Sequence, residues 1–251
     1  MRKSLSRKLY VFFTAVFILM LHLPFTFAGA VVLSKEKRAL KNITAVIAAN
    51  TKISANALVY DSLKLNMKGL SEQAYNLAIK GLEKLKQSGV IYNDRVLSII
   101  DFTRPSSQKR LYVIDLENCR LLFNTYVAHG QNSGQEYASK FSNLPESYQS
   151  SLGFYQTEGT YIGKNGYSMH LNGLEKGIND KAEERAIVMH GAPYVNENYI
   201  RTQGRIGRSW GCPAVPEELN KPIIDKIKDG SCLFIYGADK RYVKHSAILK
   251  A

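Results

Sequence analysis

Near the end of the 251-residue chain stands Gly207-Arg208-Ser209-Trp210-Gly211-Cys212-Pro213-Ala214, and 22 residues before Cys212 the apolar run Ala186-Ile187-Val188-Met189 ends in His190-Gly191. A cysteine beside glycine, with a histidine closing a strand, supplies the parts of a thiolate–imidazole nucleophile. The thiolate is the reactive form, only a few per cent of free thiol is ionised near neutrality, and a base is therefore required. Histidine, with an ordinary pKa of about 6.5, can take the thiol proton and later return it to a leaving group. Gly211 leaves room for a substrate carbonyl against the backbone, and the amides around Cys212 are candidates for an oxyanion hole.

The competing reading makes Cys212 a small buried residue and His190 a hydrogen-bonded strand-end histidine, since free cysteine is among the most buried residue types. The neighbours argue against it. Arg205, Gly207, Arg208, Ser209, Trp210 and Gly211 form a segment too polar and glycine-rich for a core strand, which puts Cys212 at a junction between loop and element. Arg205 and Arg208 are expected to stabilise a thiolate or bind a substrate carboxylate, with tethering of their own loop as the alternative. A metal site on Cys212, His190 and His170 is disfavoured, because neither Cys-x-x-Cys nor His-x-x-x-His occurs. His129, in Ala128-His129-Gly130-Gln131-Asn132-Ser133-Gly134, fits a substrate pocket or a structural hydrogen bond equally well. His170 is expected to line the cleft, and Asp180, Glu183 and Glu184 to form a solvated face. His22 and His245 lie too near the ends of the chain to be candidates.

With these residues in view, the sequence resembles the murein L,D-transpeptidase catalytic domain, in the branch whose nucleophile motif reads Ser-Trp-Gly-Cys-Pro-Ala. The likeness runs from about Leu58 to Tyr242. It takes in Arg110-Leu111-Tyr112-Val113-Ile114-Asp115-Leu116, Val127–Gly134, Ser150-Ser151-Leu152-Gly153-Phe154-Tyr155 and Ile187–Ala192. The better-known branch carries histidine just before the Gly-Cys pair, where this chain has Trp210, and Arg or Asn soon after it, where this chain has Pro213-Ala214. The resemblance implies Cys212 as nucleophile and His190 as base, with the Gly191 carbonyl fixing the imidazole tautomer. It implies Arg205, Arg208, Ser209, Gly211, His129 and His170 around the substrate, peptidoglycan stem peptides as partners, and no cofactor or metal. Transfer of the acyl group to an amine, its hydrolysis by water (an L,D-carboxypeptidase or endopeptidase), and a catalytically silent wall-binding protein all remain open at this point.

Export fits that chemistry. Arg2, Lys3, Arg7 and Lys8 precede an apolar run from Leu9 to Leu21, and Thr26-Phe27-Ala28 offers a small-residue cleavage site before Gly29. About 13 apolar residues fall short of the roughly 20 needed to span a bilayer, so cleavage is favoured over a retained anchor, and a periplasmic or secreted enzyme is expected. Residues 1–28 carry four basic and no acidic groups, so the formal charge of +13 falls to about +9 on cleavage. A basic surface suits an anionic wall polymer. Nucleic acid is not expected as a partner, given export and the lack of an aromatic-interleaved basic motif.

The elements that must position the site are read from periodicity. Leu40, Ile43 and Ile47 recur on one helical face and Leu70, Ala74, Leu77, Ala78, Leu82 and Leu85 on another, with Ser71 as N-cap and Gly89 as stop. After Thr103-Arg104-Pro105-Ser106-Ser107 the pattern becomes strand-like: Leu111–Leu116 and Leu121–Ala128 read as a hairpin across Glu117-Asn118, and Ala186–His190 and Cys232–Tyr236 as further strands. Pro222–Lys228 reads as a helix. Between Gly130 and Gly166 long loops are expected, ordered by Phe141, Leu144, Tyr148, Leu152, Phe154 and Tyr155 and walling a cleft. The fold class is α+β: a signal peptide (1–28), a helical region (29–105), a mostly β catalytic domain (106–242) and a tail (243–251). If Cys212 stays free, Cys119 and Cys232 either pair in a disulfide, which the periplasm permits, or remain buried thiols.

Overall fold

The computed structural model describes residues 57–250 together with Arg38 and Lys41. The signal segment and the helical face of Leu40, Ile43 and Ile47 lie outside the described residues. The chain divides after Ala55, and the unit that begins at Asn56 carries everything that follows.

Its first long helix, α1 (Glu72–Gln87), starts and stops where side-chain chemistry dictates. Ser71 stays extended and its Oγ accepts the Ala74 N–H at 3.1 Å, Glu72 sits in the positive first turn, and Lys84 and Lys86 sit in the negative last turn. Gly89, just past the Ser88 cap, takes φ +73°, a conformation most side chains resist. The face of Ala74, Ala78, Leu82 and Leu85 is buried. Gly81 on that face lets the Phe154 ring approach so closely that a Cβ would lie 1.9 Å from it.

One sheet of eight strands carries the core, in the order β3-β2-β1-β8-β4-β5-β6-β7. The strands are β1 (Asn93–Asp101), β2 (Leu111–Asp115), β3 (Arg120–Thr125), β4 (Gly153–Gly163), β5 (Gly166–Gly173), β6 (Val188–Gly191), β7 (Ala214–Val215) and β8 (Ser231–Tyr236). Neighbours run antiparallel except β1 with β8 and β6 with β7. Beyond β3 the Ala128 N–H donates to the Ala214 carbonyl at 2.8 Å, so the chain leaving one edge strand meets the other and the sheet curls into a barrel-like form. Every residue of β8 and of Leu97–Asp101 is buried, the unbroken apolar pattern of strands covered on both faces. After the short helix α2 (Glu197–Gln203) comes α3 (Glu217–Ile227), and α1 and α3 both pack on β1. No helix among the described residues is long and apolar enough to cross a membrane.

Three expectations need correction, and the cysteine pairing left open is decided. A catalytic domain starting at 106 leaves out β1, which pairs with β2 and β8 in the middle of the sheet. The supposed loop from Gly130 to Gly166 ends in β4, the longest strand, whose Phe154 and Tyr155 are core residues; only its first part is irregular. Residues 243–251 are not a loose tail, because α4 (Lys240–His245) leads to buried Ile248 and Leu249, and Tyr242 and Ser246 both donate to the buried Glu175 carboxylate. All three cysteines are free: Cys119 lies exposed at the β2–β3 turn at the sheet's edge, and Cys232 is buried on β8, with β2 and β1 between them.

Candidate active site

Two short parallel strands bring the sequence-distant halves of the site together. His190 on β6 is in register with Ala214 on β7, and Cys212 lies two residues before it. Both side chains line one cavity of about 400 Å³, with Lys164, Arg185, Tyr194, Arg208, Ser209 and Trp210 among its walls. The thiol is seated between two backbone groups of the segment entering β6. The Val188 N–H donates to Sγ at 3.5 Å, and the S–H donates to the Ala186 carbonyl at 3.6 Å. Burial pushes the Cys212 thiol up from its ordinary value, and the Val188 amide and the Arg185 guanidinium offset this only in part.

His190 is buried, and its Nδ1 lies 2.8 Å from the Gly191 carbonyl. A carbonyl can only accept, so Nδ1 carries the proton and Nε2 keeps a free lone pair. Burial holds the imidazole below its usual pKa, opposed by that one hydrogen bond. At neutral pH the resting pair is therefore thiol and neutral imidazole.

The loop before Cys212 is bound at every turn. Ser209 N–H donates to the His129 carbonyl at 2.9 Å and Gln131 N–H to the Ser209 carbonyl at 2.8 Å. Ser209 Oγ donates to the Cys212 carbonyl at 2.6 Å and accepts the Gly211 N–H at 3.1 Å, which leaves that amide engaged rather than open to an oxyanion. Gly211 has φ +126°, and a Cβ there would lie 2.8 Å from the Gln149 carbonyl. The glycine is thus required by backbone conformation and by the neighbouring chain, not by room for a substrate carbonyl.

The remaining candidates separate. Arg208 lines the cavity, yet its Nη1 also donates to the carbonyls of Gln131 (2.9 Å) and Gly134 (3.1 Å). Arg205 donates to the Ile206 carbonyl and is not part of the cavity wall. His129 is fully buried away from the cavity: Arg110 Nη2 donates to its Nδ1 at 2.7 Å, and its Nε2 faces the Gly134 carbonyl at 3.3 Å. Burial and the adjacent guanidinium hold its pKa down to about 3. His170, on β5, stacks on Tyr161 with ring centres 4.6 Å apart and lines a neighbouring smaller cleft. Of the hydrophobic residues expected to wall a cleft, Tyr148 stands edge-on to Trp210 at 5.6 Å, while Phe141 stacks on Phe102.

Arg185 is the residue that sequence reasoning passed over. Its guanidinium lines the cavity and binds the Ser142 and Gln149 carbonyls and Ser151 Oγ, tying down residues 142–151 beside it. It sits in the segment read as a solvated face, and partners 34 to 43 residues away leave no local signal. Among the described residues no three His, Cys, Asp or Glu side chains form a metal-sized group.

The chain is similar in structure to an L,D-transpeptidase from Mycobacterium smegmatis (13% identity, TM-score 0.36, covering 57% of this chain and 59% of that one). It is similar to the helical cell shape determining protein Pgp2 from Campylobacter jejuni (13%, 0.39, 64% and 55%) and to an L,D-transpeptidase from Stackebrandtia nassauensis (16%, 0.35, 65% and 68%). It spans less than two thirds of the length of the first two. No curated protein matches the chain in sequence. The family of the L,D-transpeptidase catalytic domain matches residues 66–236, the stretch from the turn before α1 to the end of β8 that holds the whole cavity, and the chain belongs to that family.

Proposed function

We propose that the chain is a peptidoglycan L,D-transpeptidase of the Ser-Trp-Gly-Cys-Pro-Ala branch, acting outside the cytoplasm after removal of residues 1–28. The observation that carries the reading is the shared cavity of Cys212 and His190, with Nδ1 committed to Gly191 and Nε2 left to accept a proton. Cys212 Sγ attacks the carbonyl at an L-centre of a donor stem peptide while His190 Nε2 takes the thiol proton. The C–N bond breaks, the proton passes to the departing D-amino acid, and a thioester remains. An amine of a neighbouring stem attacks the thioester, the C–S bond breaks, and the thiol is restored. Water in place of the amine gives L,D-carboxypeptidase or endopeptidase products from the same intermediate.

Charge supports an anionic peptide. The ionic side chains lining the cavity are Lys164, Arg185 and Arg208, and no carboxylate joins them. Arg208 serves both as wall and as loop anchor; Arg205, Ser209, Gly211 and His129 act by shaping the loop. Intact-mass measurement of the purified mature protein with muropeptides should show the thioester on Cys212 and cross-linked products in solution. Cys212→Ala should lose both while keeping its melting temperature, and cross-linking that survives in this variant would overturn the assignment.

A further inference from the structure

The cavity has a neighbour of opposite charge. A smaller cleft of about 120 Å³ is lined by Glu158, Tyr161, His170, Asn172 and Glu183, and it shares Ala186 and Ile187 with the catalytic cavity. That shared wall holds the nucleophile, since the Ala186 carbonyl accepts the Cys212 S–H. On one side of the wall the ionic groups are all cations, and on the other they are two carboxylates with no Lys or Arg. Among the described residues neither Glu158 nor Glu183 is in a salt bridge.

The size and the rings narrow the occupant. A water takes about 30 Å³ of liquid volume, so a cleft of about 120 Å³ has room for the end of a side chain of a few heavy atoms. The stacked Tyr161 and His170 rings set an aromatic surface beside the carboxylates, and a cation is attracted to both. We infer that this cleft is the subsite for the amine that resolves the acyl-enzyme, an alkylammonium side chain of a second stem peptide; the inference rests on the transpeptidase reading above.

The charge contrast then has a chemical use. The ammonium is captured beside Glu158 and Glu183, and it loses a proton to water as it passes the shared wall toward Lys164, Arg185 and Arg208, whose field disfavours a cation. The neutral amine attacks the thioester carbonyl, the C–N bond forms and the C–S bond breaks. The second amine proton travels through His190 to the sulfur. The sum is thioester plus ammonium giving amide, thiol and one proton.

The test uses the purified full-length enzyme, a donor stem peptide, and an acceptor stem peptide bearing a free side-chain amine. Glu158→Gln/Glu183→Gln should raise the acceptor KM about fivefold to tenfold, the scale of two exposed ion pairs, and Glu183→Lys should raise it further. Thioester formation and its hydrolysis without acceptor should stay at wild-type rates, which also shows that the variants fold. An unchanged ratio of aminolysis to hydrolysis in both variants overturns the subsite, as does a wild-type thioester resolved by water alone at saturating acceptor. Failure of the wild type to form any thioester on Cys212 overturns the transpeptidase reading itself, and the subsite with it.

Discussion

The molecule holds two His-Gly pairs that sit alike in the sequence, each after a run of apolar residues, and it uses them in opposite ways. At His190-Gly191 the partner of Nδ1 is a carbonyl, which fixes the proton on Nδ1 and leaves Nε2 with its lone pair. At His129-Gly130 the partner of Nδ1 is the Arg110 guanidinium, a group that can only donate, so the proton sits on Nε2 and points at the Gly134 carbonyl. The first ring leaves one nitrogen out of the fold's hydrogen bonds; the second spends both on them. What separates the two rings is one partner atom. In His129's case the fold brings it from Arg110, just before β2 and 19 residues away.

The largest effect that tests this contrast is expected at the first ring. His190→Gln should slow thioester formation by roughly 10²-fold or more, the usual scale of general acid–base catalysis, with a small change in melting temperature. His129→Gln should do the reverse, lowering the melting temperature by the loss of a buried, doubly bonded side chain while acylation per folded molecule stays within a few-fold of wild type. Rapid-quench mass spectrometry beside calorimetry checks both. Collapse of acylation in folded His129→Gln would erase the distinction.

Acidity sharpens it next. His129 is held at about pKa 3 against about 6.5 in an unfolded chain. The unfolded state therefore binds the extra proton, and stability is lost as the pH falls from about 6.5 toward 3, by about 1.4 kcal/mol for each unit the shift spans. His190 is also held below its usual value, so the acid limb of thioester formation should lie below pH 6.5. His129→Gln should flatten the stability profile between pH 6 and 4 and leave that kinetic limb in place. Denaturant melts and single-turnover rates across the range measure the two separately, and a kinetic limb that moves with His129 would couple them.

What the sequence reveals follows the range of the forces involved. The α1 cap at Ser71, the hairpin turn between β2 and β3 and the apolar run of β8 are written in adjacent residues, and the Ser209–Ala214 motif around Cys212 is itself local. The hairpin of β4 and β5 is hidden because the second half of β4, Glu158-Gly159-Thr160-Tyr161-Ile162-Gly163, faces solvent for most of its length and lacks apolar alternation. The strand β1 falls between the helix stop at Gly89 and the break at Thr103–Ser107, a stretch read as part of the helical region. Nothing near Arg110 and Arg185 in sequence shows that backbone carbonyls have replaced the water around them. The two roles left open for His129, substrate pocket or structural hydrogen bond, could not be separated for the same reason.

The smallest effect concerns the residue that touches both regions. Arg208 lines the His190 cavity, and its Nη1 donates to the Gly134 carbonyl that His129 Nε2 also faces. Lysine at 208 keeps the charge and one ammonium that can reach a carbonyl, but loses the planar fork that spans Gln131 and Gly134 while facing the cavity. Losing one such hydrogen bond costs about 1 kcal/mol, so Arg208→Lys should lower the melting temperature by a few degrees. The remaining charge preserves most of the attraction for an anionic donor, so donor KM should rise only a few-fold with kcat nearly unchanged. A melting temperature identical to wild type with donor KM raised tenfold or more would mean that the guanidinium belongs to the substrate. In that case the His129 brace ends at Gly134, short of the cavity.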